Sequence, residues 1–295
     1  MKPAPFVYFR PTTLDEALAT YAAEPEAKIL AGGQSLIPLM SMRLASVSAL
    51  IDINGIEELS HIHTNEDGVR FGATVRHAQL RADTEARRIQ PLLHTALGYV
   101  AHPTIRNRGT TLGSIVHADA SAEMPAVLAL LGGTVTAASA TGTRTIPADE
   151  LFIGPMQSSL ATSEIAIEAF MPALRVNSGI GYDEVARRHG DYALCGVAAV
   201  VGTDDSGAVT TVRAGYLSVC EVPTVVDLSE VFTGGEFTDH AVGEASELAL
   251  ASLEPESDIH ASADYRGQLA RVLTVRVIRQ AHDDCLARRT TGVTA

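Results

Sequence analysis

The sequence predicts an α+β fold in three successive units. Three observations carry this reading. A helix-start signature, Thr13-Leu14-Asp15-Glu16, is followed by two short extended runs. Short strands then alternate with helical stretches over 56–171. Beyond residue 175, two strand-like segments joined by a polar turn lead into two helical segments. A chain of 295 residues accommodates two or three domains, at roughly 100–200 residues each. The expected units are 1–55, 56–174 and 175–295.

Taken in order, Thr13 and Glu16 have capping-box spacing, Ser/Thr at the N-cap and Glu three residues on. Leu14, Ala17, Leu18 and Tyr21 then recur on one helical face, and Pro25 stops the run. Segments 27–30 and 49–53 read as strands, so a glycine bend leaves a strand end. In the central unit, 69–72, 133–137 and 165–170 read as strands, and 92–100 and 123–131 as helices. In the third, 196–202 and 209–217 flank the turn Asp204-Asp205-Ser206-Gly207. Helices are expected over 240–253 and from 264 to about 288. The last helix sets Leu269, Val272, Leu273 and Ile278 on one face. Arg266, Arg271, Arg276 and Arg279 fall on others, read as a solvated surface with partner docking as the weaker option. The polar stretch 182–193 reads as a surface loop with a turn at Gly190-Asp191, leading into a strand.

Composition excludes several function classes. Hydrophobic residues at 46% and charged residues at 19% are the balance of a soluble globular chain. With 22 basic against 35 acidic residues the formal charge is −13. Nucleic acid and anionic membrane both require a basic surface, so neither is an expected partner. No run approaches the roughly 18 apolar residues of a membrane span. The start, MKPAPFVYFRPTT, lacks an apolar signal core, and a cytoplasmic protein is expected. Cys195, Cys220 and Cys285 lie far apart with no C-x-x-C, and are read as small buried thiols. Any iron–sulfur centre the protein uses must then lie on another chain. His61 and His63 alternate as on one strand face, with no acidic or cysteine partner placed to complete a site, so no metal site is expected. Ser35 and Ser114 lack the G-x-S-x-G elbow, which argues against hydrolase chemistry, and no catalytic side chain is assigned.

The informative stretches are two small-residue loops. In Ala31-Gly32-Gly33-Gln34-Ser35-Leu36 the paired glycines let the backbone adopt unusual angles and approach a ligand. Successive amides can then converge on an anion, with Gln34 and Ser35 as further donors. A pyrophosphate is the natural guest, and a plain tight turn is the alternative. The bend matches neither G-x-G-x-x-G nor a P-loop. The second loop is Gly109-Thr110-Thr111-Leu112-Gly113-Ser114, followed by Asp119 and Glu123. Two phosphate-friendly loops and a carboxylate for sugar hydroxyls point to a dinucleotide held from two sides. Asp119 and Glu123 are equally readable as a helix N-terminal pair favoured by the macrodipole, Glu123 being the better ligand candidate. Arg106 and Arg108 suit a phosphate, a carboxylate or a surface ion pair.

Several of these motifs together, in order, resemble the FAD-binding medium subunits of molybdenum hydroxylases, of the carbon monoxide, xanthine and nicotine dehydrogenase type. The resemblance runs nearly end to end. It is carried by Phe9-Arg10-Pro11, by 31–38, by Ile105-Arg106-Asn107-Arg108-Gly109-Thr110, by Ala118-Asp119, by 187–193 and by Asp264-Tyr265-Arg266. It implies a two-part α/β FAD-binding region of the vanillyl-alcohol-oxidase/PCMH-like type. A C-terminal three-stranded antiparallel sheet with a small helix bundle completes the implied fold. It further implies that 31–35 wrap the FAD pyrophosphate, with Leu36 adjoining, and that Thr110, Gly113 and Ser114 form the second phosphate loop. His117 and Glu123 fall at FAD-contacting positions, Ala101 opens the segment facing the flavin ring, Tyr192 covers the isoalloxazine and Leu160 lies on the adenine side.

The implied partners are a large molybdenum–pterin subunit and a small subunit with two [2Fe–2S] clusters, in a dimer of heterotrimers. Electrons would pass from the clusters through FAD to an external acceptor. Two departures stand out. Leu112 replaces a family glycine, and a positive φ there would strain the loop or reshape it. Asp183 and Glu184 occupy a stretch where many relatives carry lysine, and negative charge beside the flavin would lower its potential. Two alternative readings are an independent FAD oxidoreductase with its own substrate pocket and an assembly subunit that has lost FAD, for which Leu112 is the hint.

Overall fold

The computed structural model describes residues 2–291; Met1 and 292–295, the extremes of the first and third expected units, lie outside the described residues. Three sheets follow one another along the chain. The first is a parallel sheet of β1 (Val7–Phe9), β2 (Lys28–Leu30) and β3 (Ala49–Asp52), in the order β1-β3-β2. The Leu14–Ala23 helix connects β1 to β2. Its capping differs slightly from the expected box. Thr13 Oγ1 accepts the Glu16 amide at 3.2 Å, while the Glu16 carboxylate reaches back to the amide of Thr12 at 2.8 Å, one residue earlier than a box requires.

The second sheet contains β4 (Ile62–Asn65), β5 (Gly68–Gly72), β6 (Thr134–Ser139), β7 (Gly142–Pro147) and β10 (Ile165–Pro172), ordered β4-β5-β10-β6-β7. Its neighbours pair antiparallel. Between β7 and β10 lies a small hairpin of β8 (Phe152–Gly154) and β9 (Gln157–Ser158). The Glu123–Leu131 helix was expected with these bounds and is buried almost all round. It packs on both the second and third sheets, which is why it is apolar on every face.

The third sheet runs β11 (Ser178–Ala186), β12 (Ala193–Thr203), β13 (Val209–Leu217) and β14 (Thr224–Asp227), all antiparallel. Three strands are long, and β14 adds a short fourth to the expected three. Residues 182–186 belong to β11 and not to a loop; Tyr182 is 1% exposed. The turn at Gly190 is present, with φ +84°. Strand β11 is an edge strand, and the Ala263–Thr291 helix covers it. The amides of Ile180 and Tyr182 donate to Asp284 Oδ2 at 2.9 Å and Gln280 Oε1 at 3.0 Å. Side chains of that helix therefore satisfy the edge that would otherwise be open to another strand.

The arginines of this helix are paired one by one. Arg266 meets Asp258, Arg271 Glu247, Arg276 Asp183 and Arg279 Asp239, at 2.6 to 3.0 Å. They form intramolecular clasps, and Arg266 is itself buried. A similar correction applies to His61. Glu168, brought in by β10, accepts from or pairs with His61 at 2.9 Å and also takes Arg70 at 3.1 Å, so an acidic partner does exist. His61 stacks on His63 at 4.9 Å. Of the three cysteines, Cys195 and Cys285 are buried and Cys220 is half-buried. Among the described residues no helix is long and apolar enough to cross a membrane.

Candidate functional site

The two small-residue loops, 77 residues apart in sequence at Gly32 and Gly109, meet back to back. A Cβ on Gly32 would lie 2.7 Å from Arg108 O, Gly109 Cα and Thr110 N, all backbone atoms. The glycine is there because the two chains touch. Gly33 takes φ +69° and turns the chain into the Leu36–Ser41 helix. Among the described residues the amides of Gly32, Gly33, Gln34 and Ser35 donate no hydrogen bond. Buried or half-buried amides normally have partners, so a row of four without one is available to an anion. Ala31 and Leu36 flank it, half-buried, and Gln34 folds back to donate to Gly32 O at 3.1 Å.

The second loop opens the Thr111–His117 helix. Thr110 is its N-cap, and its hydroxyl accepts the Gly113 amide at 3.2 Å. Gly113 has no room for a side chain, since a Cβ would sit 2.5 Å from Thr110 Oγ1. Ser114 is half-buried one position on, and His117 closes the helix, also half-buried. Leu112 carries none of the expected strain. It lies inside this helix, outside the positive-φ residues, and its side chain is 1% exposed in the core. The residue replacing the family glycine faces away from the cleft, which removes the hint of a broken loop.

Residues that local sequence patterns do not single out hold the loops together. Asn54 donates to Ala31 O at 2.8 Å, and Arg76 donates to Asn54 Oδ1 and to Arg108 O at 2.6 Å. One bridge of two side chains thus ties the backbone of loop one to that of loop two. Asn54 is fixed in turn by Asp52 Oδ1 at 2.6 Å, and Asp52 by the Tyr8 hydroxyl. The only available signal was the Asp52-Ile53-Asn54-Gly55 turn composition at a strand end. Behind loop two, buried His77 meets the Thr111 hydroxyl at 3.1 Å, and burial lowers its pKa to about 4.

The opposite wall is built by three segments. Ala101 adopts φ +40°, held by Arg106, whose Nη1 donates to Val100 O at 2.7 Å and Ala101 O at 2.8 Å. Arg106 is buried, so it is not the surface ion pair that its sequence also allowed. The turn before Tyr192 rests on the next residue, His102; a Cβ on Gly190 would lie 2.6 Å from its Nε2. Tyr192 itself is 62% exposed, standing in the cleft mouth. Partial burial, then the charges of Asp119 and Glu123, raise its pKa, while the nearby Ser35 side chain opposes them. Tyr192 therefore links the first loop to the acidic wall. Leu160 lies apart, half-buried against the core just after β9.

Asp119 and Glu123 do not share a helix turn. Asp119 sits in the preceding turn, where Oδ1 accepts the Ser121 amide at 2.9 Å, and Glu123 opens the Glu123–Leu131 helix. Burial, then the neighbouring Glu184 charge, pushes the Glu123 carboxyl up to about 8. The folded chain thus keeps a proton that the unfolded chain loses near its ordinary value of 4.5. Stability from this group is complete below that value and is lost as pH rises towards 8. Thermal unfolding of the flavin-free chain between pH 5 and 8 should show Glu123→Gln flattening this loss and raising Tm at pH 8 by about 5 °C. Asp183 and Glu184 do not deliver the expected pair of bare negative charges. Arg276 neutralises Asp183 at 2.6 Å, and burial pushes Glu184 up to about 7.

Two glycine loops in backbone contact, a row of free amides and an aromatic at the mouth define a dinucleotide-binding flavoprotein cleft. FAD fits it: the cradle accepts a pyrophosphate, and the Cβ-free surface at Gly32 leaves room for the loops to close beneath it. The comparisons agree. Residues 4–174 match the family described as the FAD binding domain in molybdopterin dehydrogenase, and 180–281 match the carbon monoxide dehydrogenase flavoprotein C-terminal domain. The nicotine 6-hydroxylase medium subunit of Paenarthrobacter nicotinovorans is 41% identical, over 93% of this chain and 96% of that one. The carbon monoxide dehydrogenase medium chain of Hydrogenophaga pseudoflava is 33% identical, over 97% and 100%. Among solved structures, quinoline 2-oxidoreductase from Pseudomonas putida 86 superposes with TM-score 0.91 at 36% identity, covering 97% of this chain and 100% of that one. The chain belongs to the FAD-binding medium subunits of the molybdenum-containing hydroxylases, which are FAD-dependent oxidoreductase components.

Proposed function

We propose that this chain is the electron-transfer subunit of a heterotrimeric hydroxylase. The chain-wide similarity to medium subunits supports this, and the joined pair of glycine loops carries the cofactor assignment. In this reading Ala31, Gly32, Gly33, Gln34, Ser35 and Leu36 cradle the FAD pyrophosphate from one side. Thr110, Gly113 and Ser114 close on it from the other. Glu123 and His117 meet polar atoms of the cofactor, Ala101 faces the flavin ring, Tyr192 covers it, and Leu160 borders the adenine end. The fold divides functionally into 1–55 and 56–174, which grip the cofactor and include the acidic wall of Asp119 and Glu123, and 175–295, which supplies Tyr192; each division carries its own sheet.

Bound FAD supplies reversible one- and two-electron chemistry. The protein's part is to bind, orient and shield it. Gly32 and Gly33 present amides to the phosphates without reorganisation, and Arg106 fixes the Ala101 backbone. No side chain of this chain acts on the organic substrate. That chemistry belongs to a large molybdenum–pterin subunit. A small subunit with two [2Fe–2S] clusters passes the electrons on, and FAD returns them to an external acceptor. The assembly is a dimer of heterotrimers located in the cytoplasm. Co-expression with the neighbouring reading frames tests this, read by visible spectrum and metal content. Flavin should accompany this chain in every preparation, with molybdenum and iron only in the complex. Flavin without any metal-containing partner would instead favour an independent oxidoreductase.

A further inference from the structure

The residue that follows β13 is strained without being glycine. Ser218 adopts φ +61°, a left-handed conformation that glycine takes freely and serine does not. It is 3% exposed, so it is not a surface turn. Each of its polar groups is engaged by a different part of the chain. The amide donates to Ala120 O at 2.8 Å. The hydroxyl donates to Ala193 O at 2.6 Å and lies 2.9 Å from the Ser121 hydroxyl. The carbonyl accepts from Arg266 Nη1. A strained residue persists only where its surroundings over-determine it, and these bonds do so.

The same bonds join two parts of the cleft. Ala193 directly follows Tyr192, and Ala120 and Ser121 lie in the turn between Asp119 and Glu123. Ser218 therefore spaces the ring at the cleft mouth from the acidic wall. Behind it the anchorage is continuous. Arg266 is 7% exposed, and its Nη2 donates to Asp258 Oδ2 at 2.6 Å. Asp258 is fixed in turn, since its Oδ1 accepts the amides of His260 at 2.7 Å and Ala261 at 2.9 Å. The Glu256 amide donates to Val219 O at 2.9 Å, which stitches the 253–262 loop to the chain just beyond Ser218. The first turn of the Ala263–Thr291 helix, which carries Arg266, thus holds Ser218 from the far side of the cleft.

We propose that Ser218, locked by Arg266, is a positioning residue that sets Tyr192 against the acidic segment and so fixes the fit of the flavin ring. The proposal rests on the reading that Tyr192 covers the FAD ring. Ser218 acts through the Ala193 and Ala120 carbonyls, and Arg266 acts through the Ser218 carbonyl. No bond is made or broken; the effect is one of placement.

Ser218→Gly isolates the hydroxyl. Glycine keeps the left-handed backbone and relieves its strain. The lost hydrogen bond and the relieved strain oppose each other, so the melt of the flavin-free chain should move by no more than about 3 °C. Fluorine-19 NMR of chain labelled with 3-fluorotyrosine follows the ring itself, with the Tyr192 signal assigned by Tyr192→Phe. In the wild-type chain partial burial, then the charges of Asp119 and Glu123, raise the titration of this phenol. In Ser218→Gly the ring leaves that setting and the midpoint should fall. FAD affinity of the same variant should weaken about 5- to 10-fold, the scale of one lost hydrogen bond. Arg266→Lys has no fork to span Ser218 O and Asp258, and should lower both the midpoint and the affinity. A Tyr192 midpoint in folded Ser218→Gly equal to that of wild type would overturn the positioning role. A lowered midpoint with unchanged FAD affinity would overturn its link to the flavin. A folded wild-type chain that takes up no flavin would overturn the FAD reading, while the fluorotyrosine titration separately decides the placement of Tyr192.

Discussion

Gly32→Ala is expected to weaken FAD binding by more than about 100-fold, or roughly 2.7 kcal/mol, while the chain still folds. A methyl at this position would lie 2.7 Å from three backbone atoms of the second loop. No rotamer change relieves a clash with backbone, so the loops must part. Parting them breaks the brace from Asn54 and Arg76, which spans Ala31 O and Arg108 O at 2.8 and 2.6 Å. The amides of the first loop then no longer point at the groups opposite Thr110 and Gly113. The loop lies at the surface of its unit, half-buried, and contributes little to the core. Fluorescence titration with FAD and a thermal melt separate the two effects. A melt shifted by only a few degrees with binding lost is the expected outcome.

Gly181→Ala should be strongly destabilising, at about 3 kcal/mol, the upper part of the range for overpacking. Its Cβ would press on the Val277 carbonyl and lie 3.1 Å from the Ala281 amide. Gly179 stands the same way against Ala281 and Cys285, so a glycine face on β11 lets the Ala263–Thr291 helix lie directly on the strand. Pushing the helix away also strips the Gln280 and Asp284 caps from the β11 edge. An unpaired buried amide costs about 1–3 kcal/mol. Gly243 is the control: a Cβ there meets nothing within 4 Å in the Asp239–Ala251 helix. Gly243→Ala should therefore stabilise by roughly 0.5–1 kcal/mol. Urea unfolding of both variants measures the contrast.

Much of the fold was legible because local signals and tertiary needs coincide. The Glu123–Leu131 helix and β13 were read with their observed bounds, since apolar runs of those lengths have few other uses. Residues 182–186 were misread as a loop for a physical reason. Asp183 and Glu184 look solvated in sequence, yet their partners are Arg276, 93 positions away, and the adjacent Tyr182 hydroxyl. Of the arginines read as a solvated face of the C-terminal helix, Arg271, Arg276 and Arg279 are exposed as expected, with acidic partners on other elements, and Arg266 alone is buried. At the site, both loops were visible from composition, as short runs of glycine and hydroxyl residues. What fastens the loops together was not. Arg76 and Asn54 act through backbone carbonyls, and a carbonyl acceptor leaves no mark on the partner's residue type.

Two loops in backbone contact at Gly32 and Thr110 are expected to act as one FAD cradle. Equilibrium titration of the recombinant chain with FAD, followed by the quenching of flavin fluorescence, addresses it most directly. Saturable binding of one FAD per chain is expected, lost in Gly32→Ala and retained in folded Leu112→Gly. Absence of saturable binding by the folded wild-type chain, or unchanged affinity in folded Gly32→Ala, would contradict it.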